Sequence, residues 1–215
     1  MAAERRLADN PAPPAPAPAS DPASDTAAGA ADGRARLDAL SRAAADGEAG
    51  AYRALVDALS GPLFGFAARL LGDAAEAEDV TQEAFARLWR TYALAPPTGS
   101  VRAWLYRTAR NLCLDRMRRR GRLTALPEDP DRMPADPAPD AEAQRQAGDR
   151  RDALQAALDG LPERQKAAIL LVHFQGLSGR EAARAMELGE EALESLLARG
   201  RRGLRAALMP RREEL

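Results

Sequence analysis

The sequence predicts an all-α protein: two small helical domains joined by a flexible acidic linker and preceded by a disordered N-terminal tail. Three observations predict it. Aromatic residues are only 4% of the 215-residue chain, too few for a large strand sandwich, whereas the helix formers Ala and Arg are abundant. Apolar residues recur at helical spacing, with no strand-like alternation of any strength. Prolines cluster before the first periodic segment and again between positions 127 and 139, marking a tail and a linker.

Residues 1–35 are Ala, Pro, Asp and Ser with almost no large apolar side chain, and the run from Asn10 to Ala19 has polyproline character. Such a stretch buries too little surface to offset its ordering entropy. The first helical domain spans 36–122. Tyr52, Leu55, Val56 and Leu59 form one stripe, and Gly61-Pro62 is expected to interrupt it before a second segment from Leu63 to Leu71. Gly72 is a stop signal, and Asp73 with Glu76 reads as a capping box opening the next helix. After a loop from Leu94, Ser100 is placed to cap a long helix running to about Arg120. The linker, 123–149, carries prolines at 127, 130, 134, 137 and 139 among many acids. A second helical domain fills 150–210. Pro162 fits the first turn of a helix reaching about Phe174, Ser178 and Glu181 form another capping box, and the turn Glu187-Leu188-Gly189 precedes a last helix to about Leu208.

Composition narrows the function. The only cysteine is Cys113, read as a buried core thiol, and the only histidine is His173, so neither a disulfide, a cysteine-based zinc site nor the common histidine chemistries are expected. No cofactor or metal is called for. No apolar run approaches the roughly 20 residues that span a bilayer, and no signal-peptide core is present, so a cytoplasmic protein without membrane insertion is expected. Net charge is −1, which argues against a stand-alone nucleic-acid binder.

Charge is unevenly distributed, however. Between Val101 and Arg122 eight arginines face one acid, Asp115, for a local charge of +7, far more than a helix end needs to satisfy its dipole. Tyr92, Trp104 and Tyr106 lie beside this stripe, as in sites that stack single-stranded bases, although packing alone assigns Trp104, Trp89 and Phe85 to the core. The preceding helix is acidic at Asp73, Glu76, Glu78, Asp79 and Glu83, which suits docking on a basic protein. Near the C-terminus, two helices meet at a three-residue turn, with Ala182 and Ala183 at the close approach and Leu188 and Leu193 filling the angle. This is a helix-turn-helix pattern whose second helix is basic downstream at Arg199, Arg201, Arg202 and Arg205.

The block from Ala75 through Asp79, Gln82, Glu83 and Phe85 to Trp89 resembles region 2 of the extracytoplasmic-function sigma factors, group IV of the sigma-70 family. So does the block from Ser100 through Trp104, Tyr106 and Asn111 to Asp115. The stretch from Leu158 through Pro162, Gln165, Gly176 and Ser178 to Ser195 and Arg199 resembles region 4. The likeness covers about Asp46 to Arg122 and Ala153 to Ala207, in the family's order, with no domain between. It implies a promoter-specificity factor and not an enzyme, with core RNA polymerase (the β′ clamp helices and the β flap), promoter DNA and an anti-sigma factor as partners. It also implies residue roles. Asp79, Gln82 and Glu83 would contact the clamp helices. The loop Leu94 to Ser100 would capture a base flipped from the opened −10 element. Arg102, Trp104, Arg107, Arg110, Asn111, Arg116 and Arg119 would follow the non-template strand, and Ser195, Arg199, Arg201 and Arg202 would read the −35 element.

Two departures stand out. Glu187 occupies a turn position where the family usually carries Gly, and the recognition helix starts with Glu190, Glu191 and Glu194. Acids there are unfavourable near phosphates, although Glu can accept from a cytosine amino group. An alternative from another class is a sigma-like mimic that sequesters an anti-sigma factor without initiating transcription; the basic stripe and the lack of a receiver-like domain speak against it. A dimeric helix-turn-helix repressor leaves the first domain unexplained. A carboxylate pair for catalysis could be drawn from Asp79 and Glu83, but no pocket accompanies it.

Overall fold

The computed structural model describes residues 22–94, 97, 99–123 and 141–209. The stretch before Pro22 and the central linker, 124–140, both expected to be unstructured, lie outside the described residues. Contacts divide the chain at Ala35, and the packing below is that of Arg36–Leu215. Eight α-helices are present among the described residues, with no strand: α1 Pro22–Ala45, α2 Ala49–Leu71, α3 Ala74–Leu94, α4 Val101–Leu123, α5 Ala141–Asp159, α6 Glu163–Ile169, α7 Gly179–Met186 and α8 Glu190–Leu208. A π-helical turn, Leu170–Phe174, extends α6.

Four sequence expectations are corrected. Residues 22–35 are helical where a disordered tail was expected, because Pro22 suits a first helical position and the following alanines carry the highest helix propensity even without large apolar groups. Residues 141–149 are likewise helical where linker was expected, in a run of Ala, Gln and Glu. Helix α2 also continues through Gly61-Pro62. An internal Pro costs about 3 kcal/mol, and burial of Leu55, Leu59, Leu63, Phe66 and Leu70 along one stripe offsets it. The same helix is long and apolar enough to meet the length and composition of a membrane span, contrary to the sequence expectation. Its buried stripe is what a core helix shows.

The first module packs α2, α3 and α4 around Phe66, Val80, Leu88, Leu105 and Tyr106, all at most 1% exposed. Asp73 caps α3, accepting from the Glu76 N–H at 2.9 Å, which with Arg120 holds its carboxyl below the ordinary value despite some desolvation. The expected reciprocal bond is replaced: Glu76 accepts from Arg120 Nε at 3.0 Å, and Arg120 Nη2 reaches Asp73 at 2.6 Å, tying α3's start to α4's end. Ser41 of α1 and Tyr92 share a 2.8 Å hydrogen bond.

In the second module the capping box at Ser178 and Glu181 forms as expected, with Ser178 Oγ accepting from the Glu181 N–H and the Glu181 carboxylate accepting from the Ser178 N–H. Ala182, Ala183 and Leu193 are buried at the helix crossing. Helix α8 lies so close to α6 that a Cβ on Gly200 would stand 2.9 Å from Ile169 Cγ1, and one on Gly203 2.6 Å from Leu161 Cδ2.

The two modules share one seam. Arg102 donates to the Gln175 carbonyl at 2.6 Å, Tyr106 Oη to Gln175 Oε1 at 2.8 Å, and Ser100 Oγ to Glu181 Oε1 at 3.0 Å. Lys166, the chain's only lysine, is buried and donates to the Leu70 carbonyl at 3.1 Å and Asp159 at 2.7 Å. Arg69 lies over the Phe174 ring, 5.3 Å from its centroid. Burial pushes the Glu181 carboxyl up, but hydrogen bonds from Ser178 and Ser100, with Arg102 nearby, outweigh it and leave the group below the usual glutamate value.

A Gly inside a helix is ordinarily about 0.5–1 kcal/mol worse than Ala. At Gly200 the close approach reverses the sign: Gly200→Ala is expected to destabilise by about 1–3 kcal/mol through overpacking, read by urea denaturation, and a more stable variant would remove the close approach as a constraint. Glu181 gives a pH prediction. Because its folded pKa is depressed, its contribution is complete above the unfolded value of about 4.3 and is lost as pH falls through the folded value. The melting temperature of the wild type should therefore fall more steeply between about pH 5 and pH 3 than that of Glu181→Gln, and parallel curves would count against the assignment.

Candidate nucleic-acid interface

Helix periodicity divides α4 into two stripes. Arg102, Tyr106 and Arg110 recur every fourth residue, and Trp104, Arg107, Thr108 and Asn111 lie about a third of a turn or more away. The first stripe faces the second module. Arg102 and Tyr106 are spent on Gln175, and Arg110 is 7% exposed, with Nη1 donating to Asn111 at 3.2 Å and Nε without a partner. Desolvation lowers the Arg110 pKa, with Arg164, Glu163 and Glu187 around it. Of the residues expected along a DNA strand, then, Arg102 and Arg110 are covered in this arrangement.

The second stripe is open. With α3 it walls a groove of about 560 Å³ lined by Arg87, Arg90, Trp104, Arg107, Asn111 and Glu187. Trp104 is half-buried there, so its ring serves both core and surface. Tyr92 and Tyr106 are not available for stacking: both are buried, and Tyr106 sits edge-on to Phe66 at 5.4 Å. Burial also raises the Tyr106 hydroxyl to about 12. Arg116 and Arg119 lie further along α4, Arg116 3.9 Å from Asp79 and Arg119 exposed. The expected base-capturing loop is described only in part, since residues 95, 96 and 98 lie outside the described residues.

On α3, Asp79 and Gln82 are exposed, and Gln82 donates to Glu78 at 3.2 Å. Glu83 is engaged within its own helix, with Arg87 at 2.8 Å and Arg90 at 3.2 Å. The bond from Arg87 holds its carboxyl below the ordinary value despite slight desolvation. Trp89 corrects an expectation: it is 52% exposed and packs its edge on Tyr52 at 4.8 Å, while Phe85 is buried as expected. Arg87 and Arg90 escaped the sequence reading, although their spacing from Glu83, four and seven residues, could have placed them on its face. Cys113 is buried, and desolvation pushes its thiol up to about 12, as an inert core position requires.

On α8, Ser195, Arg199, Arg201 and Arg202 are all exposed, as are Glu190, Glu191 and Glu194. Arg199 Nε donates to the Ser195 carbonyl at 3.1 Å, so that guanidinium lies back along the helix. Glu187 is the one non-glycine residue with a positive φ among the described residues, 56°. The turn thus needs the left-handed conformation that Gly adopts freely, which accounts for the family's usual Gly.

Known proteins agree with this architecture. Residues 55–123 match the profile of Sigma-70 region 2 and residues 151–204 that of Sigma-70, region 4. The ECF RNA polymerase sigma factor SigE of Mycolicibacterium smegmatis is 42% identical over 148 residues, 66% of this chain and 56% of that protein. The ECF RNA polymerase sigma factor SigK of Mycolicibacterium vanbaalenii is 31% identical over 81% of this chain and 90% of its own length. Among solved structures, CnrH in complex with the cytosolic domain of CnrY is 26% identical with a TM-score of 0.60, over 81% of this chain and 98% of that one. With both sigma modules in the family's order and relatives matched along most of their length, this chain belongs to the extracytoplasmic-function sigma factors of the sigma-70 family.

Proposed function

We propose that this chain directs core RNA polymerase to a set of promoters, reading the −35 element with α8 and holding the opened −10 strand along α4. The observation that carries the reading is the placement of two exposed basic faces, on α4 and α8, on separate modules, with an acidic face on α3 preceding both in sequence. Asp79 and Gln82, open on α3, suit docking on basic helices of the polymerase β′ subunit, and the second module suits the β flap. Arg107, Asn111 and Trp104 suit a single strand, where cations neutralise phosphates and a ring takes a base. Ser195, Arg199 and Arg202 follow one outer face of α8, the face a recognition helix turns to the major groove. Each module alone binds weakly, and polymerase joins them into one strong reader through effective concentration. Opening the −10 region then proceeds by trapping unstacked bases, which offsets a few kcal/mol of unpairing.

We also propose control by an anti-sigma factor that covers α3 or the seam between the modules. The complex of CnrH with the cytosolic domain of CnrY supports a protein partner for this fold.

Run-off transcription with core polymerase on fragmented genomic DNA tests the reading. The wild type is expected to yield new start sites behind a shared two-part element, and Asp79→Lys/Gln82→Lys, which changes only exposed side chains, to lose at least about 90% of those transcripts, a loss of roughly 1.4 kcal/mol or more in docking. A wild type that binds an anti-sigma factor yet yields no transcripts would leave the mimic standing instead.

A further inference from the structure

The groove between α3 and α4 contains cations that no part of the foregoing reading uses. Arg87 and Arg90 project into it from α3, and Glu83 holds both, at 2.8 and 3.2 Å. The helix spacing that links them to Glu83 also fixes where their guanidinium groups stand, opposite Arg107 and Asn111 on α4. Three arginines, an amide and the half-buried Trp104 ring thus converge from two helices on one space. Cations around a ring are the combination that takes a single strand by its phosphates and bases.

Among the described residues, the only acid lining this groove comes from the other module. Glu187 reaches Arg107 at 3.9 Å, and both side chains are about half exposed, so the pair contributes little to stability. Glu187 is also held at φ 56°, a conformation unfavourable for a side-chain-bearing residue. A loose ion pair does not compensate for that strain, so the carboxylate needs another explanation than fold stability. Its position supplies one: it places a negative charge on the rim of a groove whose other ionic groups there are cations.

We infer that Arg87 and Arg90 are additional phosphate contacts for a single DNA strand in this groove, and that Glu187 is an internal anion standing where a strand phosphate binds, so that docking of the second module and binding of the strand exclude each other. The inference rests on the strand-holding role proposed for α4 and extends it to α3 and to the turn of the helix-turn-helix. Covering of Arg102 and Arg110 by the same module belongs to the same exclusion. When polymerase separates the two modules, the Glu187 carboxylate leaves the groove and Arg102, Arg107 and Arg110 become available, while Arg87 and Arg90 exchange Glu83 for a strand phosphate as it arrives.

The test is binding of a fluorescently labelled, mixed-sequence single-stranded oligonucleotide to the full-length chain, followed by polarisation across a salt series. Arg87→Gln and Arg90→Gln are each expected to weaken binding and to lower the slope of log affinity against log salt by about 0.7. Glu187→Gly is expected to tighten binding about three- to fivefold, the size of one ionic contact near a surface. Asp57→Asn makes the same change in net charge on an exposed α2 residue that does not line the groove, and should give no such gain. Unchanged salt slopes in both arginine variants overturn the phosphate contacts. A Glu187→Gly variant no tighter than Asp57→Asn, or one that fails to bind when the wild type also fails, overturns the internal competitor. Run-off transcription on the same proteins separates the two levels: transcripts from a wild type whose strand binding ignores all three substitutions sink only this inference, whereas absence of transcripts sinks the sigma reading beneath it.

Discussion

Tyr106 belongs to both modules at once, and the arrangement of the rest depends on it. Its ring, 1% exposed, packs edge-on against Phe66 in the first core, and its hydroxyl leaves that core to donate to Gln175 of the second module at 2.8 Å. Helical periodicity then puts Arg102 one turn before it and Arg110 one turn after, on the same stripe. Wherever Gln175 and the start of α7 sit on Tyr106, those two arginines are covered and the neighbouring stripe, with Trp104, Arg107 and Asn111, is left facing α3. Arg102 is covered through its own bond to Gln175, and Arg110 lies beside Glu163, Arg164 and Glu187 of the second module.

The seam around Tyr106 differs in kind from the cores it joins. Inside each module the contacts are aliphatic and aromatic, at or near zero exposure. Across the seam, hydrogen bonds from side chains to carbonyls, amides and carboxylates and one cation over a ring are added to apolar packing, since the buried apolar residues of the two modules form one continuous cluster. A hydrogen bond contributes only about 0.5–1.5 kcal/mol net, because water replaces it when the partner leaves. The polar part of the seam can therefore open readily in water, whereas the apolar cluster shared by the two modules resists their parting. Lys166 limits that freedom, since its buried ammonium loses the Leu70 carbonyl on separation but keeps Asp159 within its own module.

What the sequence made legible follows from locality. The capping box at Ser178, the Asp73 cap, the stop at Gly72, the helix-turn-helix and the buried Ala182, Ala183 and Leu193 are decided by residues within a few positions of each other, and the structure has them as expected. Pro62 was misread because a local rule was applied where a stripe of distant partners overrides it. Trp89 was misread because helix position separates inner from outer residues only when the partner helices are known, and Tyr52 covers just its edge. The tail and linker limits shifted because alanine favours helix without supplying any apolar signal. At the interface, composition located the basic helix but not which of its arginines are free, since that is set by Gln175 and Glu181, some seventy to eighty residues away. The left-handed turn at Glu187 was visible only as a departure from the family, and its backbone angle supplies the reason.

The charge distribution has the same logic as the seam. The chain is close to neutral although α4 carries a local charge of +7, and several of its acids stand directly against cations of α4 and the neighbouring α3. Asp73 and Glu76 meet Arg120, Asp79 lies near Arg116, Glu83 holds Arg87 and Arg90, and Glu187 approaches Arg107. Exposed pairs of this sort contribute about 0–1 kcal/mol each to folding, so stability does not explain their concentration along α3 and α4. Their larger effect is on the field: charges beyond about 10 Å are screened in salt, and an acid placed within contact distance is what cancels a guanidinium locally. A free chain arranged in this way presents little net attraction to stray nucleic acid. Its cations become effective only where the acids are displaced or where several phosphates arrive together.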